Sequence, residues 1–154
     1  MKLEPVYQEF LDHLEELSQL LEHMRETART KTVAARAGDL VELDQCMKQE
    51  QAFSMALRGM DQKREKMLEV MGIPGKPLSR LAEHYPEALQ AQASRAAERA
   101  LDRYEEYVSA ANAALTAMEC VLHDIGRMMP EEGRTQAQPG EVAPPPRMRT
   151  DFRA

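Results

Sequence analysis

The residues best suited to metal or acid–base chemistry in this chain are its four histidines, His13, His23, His84 and His123. A di-iron site in a helical bundle needs a glutamate three residues before a histidine, so that both side chains point inward from one helix face. The residues found at that spacing are Phe10, Leu20, Leu81 and Cys120. Glu9 and Glu119 lie four residues before His13 and His123, which is more often the spacing of a solvated pair than of a metal site. The histidines therefore predict no bound metal.

Cys46 and Cys120 are the two thiols of the chain. A reactive thiolate needs a nearby base or a helix N-terminus that lowers its pKa. Both cysteines fall inside predicted helices and beyond the first turn, so we expect both to be reduced packing residues. The sequence also lacks the glycine-rich phosphate loops and the nucleophile elbow that support phosphate and acyl chemistry. We expect no catalytic residue and no cofactor, and hence a protein that is not an enzyme.

The first element that stands out is an amphipathic helix over residues 4–36. Its apolar residues recur at alternating spacings of three and four, which is a heptad seam that Lys31 alone interrupts. The seam consists of Tyr7, Phe10, Leu14, Leu17, Leu21, Met24, Ala28 and Ala35. Gly38 is suited to end this helix, and Asp39 with Glu42 is typical of a capping box that starts the next one. A tight reversal is therefore predicted at Gly38.

A second helix is predicted over 39–71. Its seam consists of Leu43, Cys46, Phe53, Leu57, Met60, Met67 and Met71. Glu50 and Arg64 fall on the same seam, where polar residues either fix the register of a bundle or face water. Gly72, Pro74 and Pro77 interrupt the helical pattern, and residues 78–85 could form a short helix.

The third long helix is predicted over 87–129, where the periodicity is unbroken. Its seam consists of Ala97, Leu101, Tyr104, Val108, Ala111, Leu115, Met118, Leu122, Ile125 and Met129. Runs of β-branched and aromatic residues are missing, so no sheet is expected. The sequence predicts an all-α fold of three long antiparallel helices in a coiled-coil-like bundle over 1–129. The Pro-rich segment 130–154 is expected to be a flexible, disordered tail.

Charge and hydropathy narrow the class of partner. The formal net charge is −6, which would repel a nucleic acid backbone. The N-terminus does not read as a signal peptide, and no stretch approaches the length of about 20 apolar residues that a spanning helix needs. We expect a cytoplasmic protein without membrane insertion or a nucleic acid partner.

The second half of helix three is the best candidate for a binding surface. Its residues 110–114 are small on nearly every side, which permits the close approach of another helix, either the protein's own or that of a partner. Large apolar residues follow, and they are the predicted partner-binding residues: Leu115, Met118, Leu122, Ile125 and Met129.

Two segments carry a family resemblance. The stretch from Leu40 to Gly72, with Leu40-x-x-Leu43-Asp44, Lys63-Arg64 and the ending Met67-Leu68-Glu69-Val70-Met71-Gly72, resembles the second helix of FlgN-type flagellar export chaperones. Asn112-Ala113-Ala114-Leu115, followed by Leu122, is similar to the third helix of that family, which adds Asn112 to the predicted partner-binding residues.

The resemblance implies a chaperone of hook-associated proteins, which form the hook–filament junction of the flagellum. Such a chaperone would bind their terminal amphipathic helices and deliver them to the flagellar type III export gate. The alternative is a helical-bundle adaptor or structural protein without an export client, which self-associates, as in a homodimer, through the same seams.

Overall fold

The structure, a computed structural model, describes residues 4–128 and the side chains of residues 5–127. These residues form three long α-helices, α1 (Glu4–Ala37), α2 (Leu40–Val70) and α3 (Glu87–Met128), and a 3-10 helix (Leu78–His84) between α2 and α3. No strand occurs in residues 4–128, and the all-α prediction is confirmed for this part. Met129 and the predicted tail 130–154 lie outside the described residues.

The turn between α1 and α2 follows from local rules. Gly38 adopts the left-handed conformation with φ of 69°, and its amide donates to the carbonyl of Ala35 (3.2 Å). The amide of Asp39 donates to the carbonyl of Ala34 (2.9 Å), so that two terminal carbonyls of α1 are satisfied. The carboxylate of Asp39 then accepts from the amide of Glu42 (3.1 Å) and caps α2. The predicted reversal at Gly38 is confirmed.

Helices α1 and α2 form an antiparallel pair, because only residues 38–39 separate them and the first turn of α2 packs against the last turn of α1. Within this interface the hydroxyl of Thr27 donates to Oε1 of Gln49 (3.1 Å), and Nζ of Lys31, one turn later on α1, donates to Oε1 of Glu50, the next residue of α2 (2.9 Å). Lys31 is the residue that interrupts the first predicted seam, and Glu50 interrupts the second. The two polar interruptions therefore face each other and form an ion pair across the interface.

Helices α1 and α3 run parallel. Nη1 of Arg25 donates to Oε2 of Glu106 (2.6 Å), and Nε of Arg103 lies 3.2 Å from Oε2 of Glu22. The residue numbers of both helices increase from one pair to the next, so α1 and α3 run in the same direction. The prediction of three antiparallel helices is therefore not confirmed as stated: α1 and α3 are parallel neighbours, and the 3-10 helix, which the sequence allowed over residues 78–85, is a fourth helical element. The coiled-coil character of the packing stays a prediction.

Helix α1 is the centre of the fold. It contacts both α2 and α3, whereas no Cα atom of α2 lies within 8 Å of a Cα atom of α3. The buried face of α1 matches its predicted seam, with Tyr7 alone half-buried among those residues. The central helix thus supplies the largest share of the buried hydrophobic residues, and the backbones of α2 and α3 stay further apart than either is from α1.

The buried face of α3 differs from its predicted seam. The residues fully buried on α3 are Ala93, Ala97, Ala100, Tyr107, Ala114 and Ala117. Leu101, Val108, Leu115 and Leu122, which the sequence placed at the seam, are half-buried. Helices that meet through alanines can approach closely, and the larger side chains then lie on the flank of the contact. The seam predicted for α3 therefore lies on the flank of the contact with α1 and not at its centre.

The 3-10 helix confirms the predicted short helix near residues 78–85. Its Leu78 and Leu81 are buried, and it packs against α3. At its end, the hydroxyl of Tyr85 donates to the carbonyl of Tyr7 on α1 (2.9 Å). Burial raises the pKa of Tyr85 above its ordinary value. The segment is thus fixed to both α3 and α1.

Candidate partner-binding surface

The predicted partner-binding residues lie near the C-terminal end of α3, and none that the structure describes is fully buried. Asn112 is exposed, Leu115, Met118 and Leu122 are half-buried, and Ile125 is 41% exposed. Met129 lies outside the described residues. Leu115, Met118, Leu122 and Ile125 repeat every three or four residues and therefore share one side of α3. We refer to these four residues as the α3 stripe.

The exposure of the stripe follows from the unequal lengths of the helices. The ion pairs that join α1 to α3 connect residues 81 positions apart at Arg25 and Arg103 and 84 positions apart at Arg99. Ala37, the last residue of α1, therefore lies about level with residues 118–121, and α3 continues for about seven to ten residues to Met128. At 1.5 Å per residue this extension is about 10–15 Å long. Leu122 and Ile125 lie on it, beyond the end of α1.

Small residues hold this end of α3 against α1. Ala34 and Ala35 of α1, Leu43 of α2 and Ala117 of α3 form one buried cluster. Met118 and Val121 pack against the edge of this cluster. In the small segment 110–114 itself, Ala114 is buried and Ala111 packs against the main core, to which α1 contributes. These contacts favour the protein's own first helix, which is one of the two alternatives that the sequence left open.

A cleft of about 550 Å³ lies on the other side of α3. Its lining includes Ala35 and Arg36 of α1, with Thr116 and Cys120 of α3. Cys120 is exposed, so the prediction that it is a packing residue is wrong. Cys46 is buried as predicted, and burial raises the pKa of its thiol, with smaller contributions from Glu42 and Glu50. Such a thiol is less reactive than an ordinary cysteine at neutral pH.

A buried polar cluster lies between α1 and α2, toward the opposite end of the molecule. Arg64 is fully buried and donates to the carboxylate of Asp61, one turn before it on α2. Burial lowers the pKa of Arg64, and the charge of Asp61 opposes that shift. The sequence left two alternatives for Arg64: a residue within the bundle that fixes the helix register, or a residue exposed to water. The exposed alternative is wrong. Glu50 is 39% exposed and forms the pair with Lys31 already described.

His13 of α1 belongs to the same cluster. It is 1% exposed, and neither of its ring nitrogens has a hydrogen-bond partner among the described residues. Burial lowers its pKa to about 4, with further contributions from Arg64 and Lys63. His13 is therefore neutral at pH 7, and Arg64 is the buried cation of this cluster, with Asp61 as an ion-pair partner.

Sequence reasoning missed part of the exposed apolar surface, at the beginning of α2. Leu40 is 67% exposed, Val41 is 72% exposed and Met47 is 48% exposed. Leu40, Leu43 and Met47 follow the spacing of one helix side, and this pattern was visible in the sequence. It was not predicted as exposed surface because Leu43 was assigned to the seam of helix two, Met47 to its flank and Leu40 to the segment that starts the helix.

Two properties of the described residues bear on the class of protein. No group of three His, Cys, Asp or Glu side chains within residues 4–128 is arranged so that it could hold a metal ion. No helix in that range is long and apolar enough to cross a membrane.

Comparison with known proteins assigns the family. The family model described as FlgN protein matches residues 1–122. This match covers most of the 154-residue chain, including α1, α2, the 3-10 helix and α3 as far as Leu122. No curated protein and no solved structure matches the chain. The chain therefore belongs to the FlgN family of flagellar export chaperones.

Proposed function

We propose that this protein binds hook-associated proteins of the flagellum in the cytoplasm and delivers them to the flagellar type III export apparatus. The observation that supports this function within its family is the α3 stripe. Four large apolar side chains repeat on one side of α3, and two of them, Leu122 and Ile125, lie beyond the end of α1. A surface of this kind fits an amphipathic helix, which docks through apolar residues at the same spacing.

The exposed area suits a complex that forms and dissociates. A client helix along the stripe would cover roughly 300 Å² of apolar surface, which corresponds to a gross gain of about 7 kcal/mol at ~25 cal/mol per Å². Contacts at the polar rim add to this gain, while the loss of translational and side-chain freedom opposes it. An affinity near the micromolar range would allow release at the export apparatus, because affinity is adjusted mainly through the dissociation rate.

The test compares the stripe with an apolar residue elsewhere. Leu122→Ala and Ile125→Ala are the stripe variants, and Met55→Ala is the control because Met55 is 74% exposed on α2. Binding to the purified hook-associated proteins of the same bacterium is measured by calorimetry, and folding by thermal melting. Both stripe variants should bind at least about tenfold more weakly while melting close to the wild type.

Two results would contradict the proposal. If no hook-associated protein binds the wild-type chain, the assignment of the client is wrong. If the stripe variants bind normally but change the sedimentation of the chain alone, the stripe is an interface between copies, as the self-associating adaptor would require.

A further inference from the structure

The cover over one flank of α3 changes halfway along the helix. Leu101, Val108, Leu115 and Leu122 are spaced by seven residues and so lie on one flank. Leu101 lines the same small cavity as Leu78 of the 3-10 helix, which places the 3-10 helix over the beginning of this row. Within residues 4–128, α1 and the 3-10 helix are the elements whose Cα atoms come within 8 Å of those of α3. The seven-residue 3-10 helix, about 14 Å long, lies over the row near Leu101 and is too short to reach Leu115, about 21 Å further along α3. Leu115 and Leu122 therefore lack this helical cover, although they are half-buried.

Helix α2 provides a second apolar surface beside the uncovered part. Leu43 is buried in the cluster with Ala117, and Met118 of the α3 stripe packs against that cluster. Leu40 lies three residues before Leu43 and Met47 four residues after it, one turn away in either direction on the same side of α2. Both are largely exposed, at 67% and 48%. Leu40 and Met47 thus flank Leu43, through which α2 joins the cluster that Met118 packs against.

We propose that Leu40 and Met47 form the second wall of a groove whose first wall is the α3 stripe. The groove would hold an amphipathic helix of the exported protein, so this inference rests on the proposed function. The fold itself indicates the kind of occupant, because the same flank of α3 is covered nearer its beginning by a helical segment with leucines three residues apart, Leu78 and Leu81. The client helix takes the equivalent place in the uncovered half of the flank.

The size of the groove favours a client helix over a second copy of the chain. Six partly exposed apolar side chains offer roughly 400 Å², about half of the ~800 Å² per partner that a stable dimer buries. The groove continues onto the extension of α3, which is about 10–15 Å long and matches about seven to ten residues of helix. The occupant should carry large apolar side chains at spacings of three, four and seven residues and keep its polar face toward water.

The test uses exposed residues of a single helix, so that the variants are matched. Leu40→Asp and Met47→Asp change the proposed wall, and Met55→Asp and Val70→Asp are the controls, at 74% and 58% exposure. The probe is a fluorescent peptide of the terminal helix of a hook-associated protein from the same bacterium, titrated with the full chain. The wall variants should weaken binding about tenfold, and the controls less than about twofold. Thermal melting of all four variants checks that they fold.

The outcomes separate the groove from the proposed function. If Leu122→Ala weakens binding of the peptide and the wall variants leave it unchanged, the second wall is wrong and the function stands. If the wild-type chain binds neither the peptide nor the intact hook-associated protein, the function is wrong and the groove with it. If the wall variants change the sedimentation of the chain alone and leave peptide binding intact, α2 contacts another copy at this place, and that result also overturns the groove.

Discussion

The buried pair of Asp61 and Arg64 allows the sharpest prediction about stability. Asp61→Ala removes the carboxylate that accepts from Arg64, while the guanidinium remains at a position with no exposed surface. Breaking a buried ion pair on one side costs about 3–5 kcal/mol, because the other charge loses water without compensation. Glu65 also favours the charged form of Arg64, so we expect a loss near the lower figure.

This loss is large compared with the stability of an ordinary domain, about 5–15 kcal/mol. The melting temperature should fall by roughly 6–12 °C, measured by circular dichroism at pH 7. Asp44→Ala is the matched control, because Asp44 also pairs with a basic residue of α2, Lys48, but both side chains are mostly exposed. An exposed pair contributes about 0.5 kcal/mol or less, and this control should melt within about 2 °C of the wild type.

The paired replacement tests the reason for the loss. Asp61→Leu combined with Arg64→Met removes both charges and fills the same space with apolar groups, which is often neutral or stabilising. This double variant should therefore melt well above Asp61→Ala. The reasoning is refuted if Asp61→Ala melts like the exposed control, or if the double variant is as unstable as the single one.

Two further predictions concern pH and packing. His13 has a folded-state pKa of about 4 against about 6.5 when unfolded, so the unfolded chain binds more protons in this window and stability falls as the pH drops from about 6.5 to 4. The free energy of unfolding should decrease by about 2 kcal/mol at pH 5, measured by chemical denaturation. The wild type and the control His23→Leu, at an exposed histidine, should both show this decrease. If His13→Leu also shows it, His13 is not its source. Ala117→Leu should lower the free energy of unfolding by about 1–3 kcal/mol, because the larger side chain overpacks the contact with α1. The control Ala113→Leu, at an exposed position, should lower it by less than about 0.5 kcal/mol. Equal losses would show that the contact at Ala117 is not close-packed.

The order and ends of the helices could be predicted from the sequence, because local rules decide them. Gly38 supplies the left-handed residue that ends α1, and Asp39 caps α2 with its own carboxylate, so both act within one turn of their position. The seam of α1 could also be predicted, since a helix with neighbours on two sides buries a broad apolar face. Family membership was recognisable for the same reason, because the order and spacing of these elements are properties of the chain itself.

The tertiary structure decided which side of α3 faces α1. The sequence placed Leu115 and Leu122 at the seam because large apolar residues repeat there, but the parallel contact with α1 is made through Ala114 and Ala117. Periodicity in the sequence defines a broad apolar stripe on a helix. Which residues of that stripe are buried depends on how closely the neighbouring helix approaches. The same dependence explains Arg64, which is buried because α1 covers it, and Cys120, which is exposed because it lies on the side of α3 that borders the cleft. The apolar surface proposed for the client could therefore be located on α3 from the sequence, whereas its exposure and its second wall on α2 follow from where the other helices end.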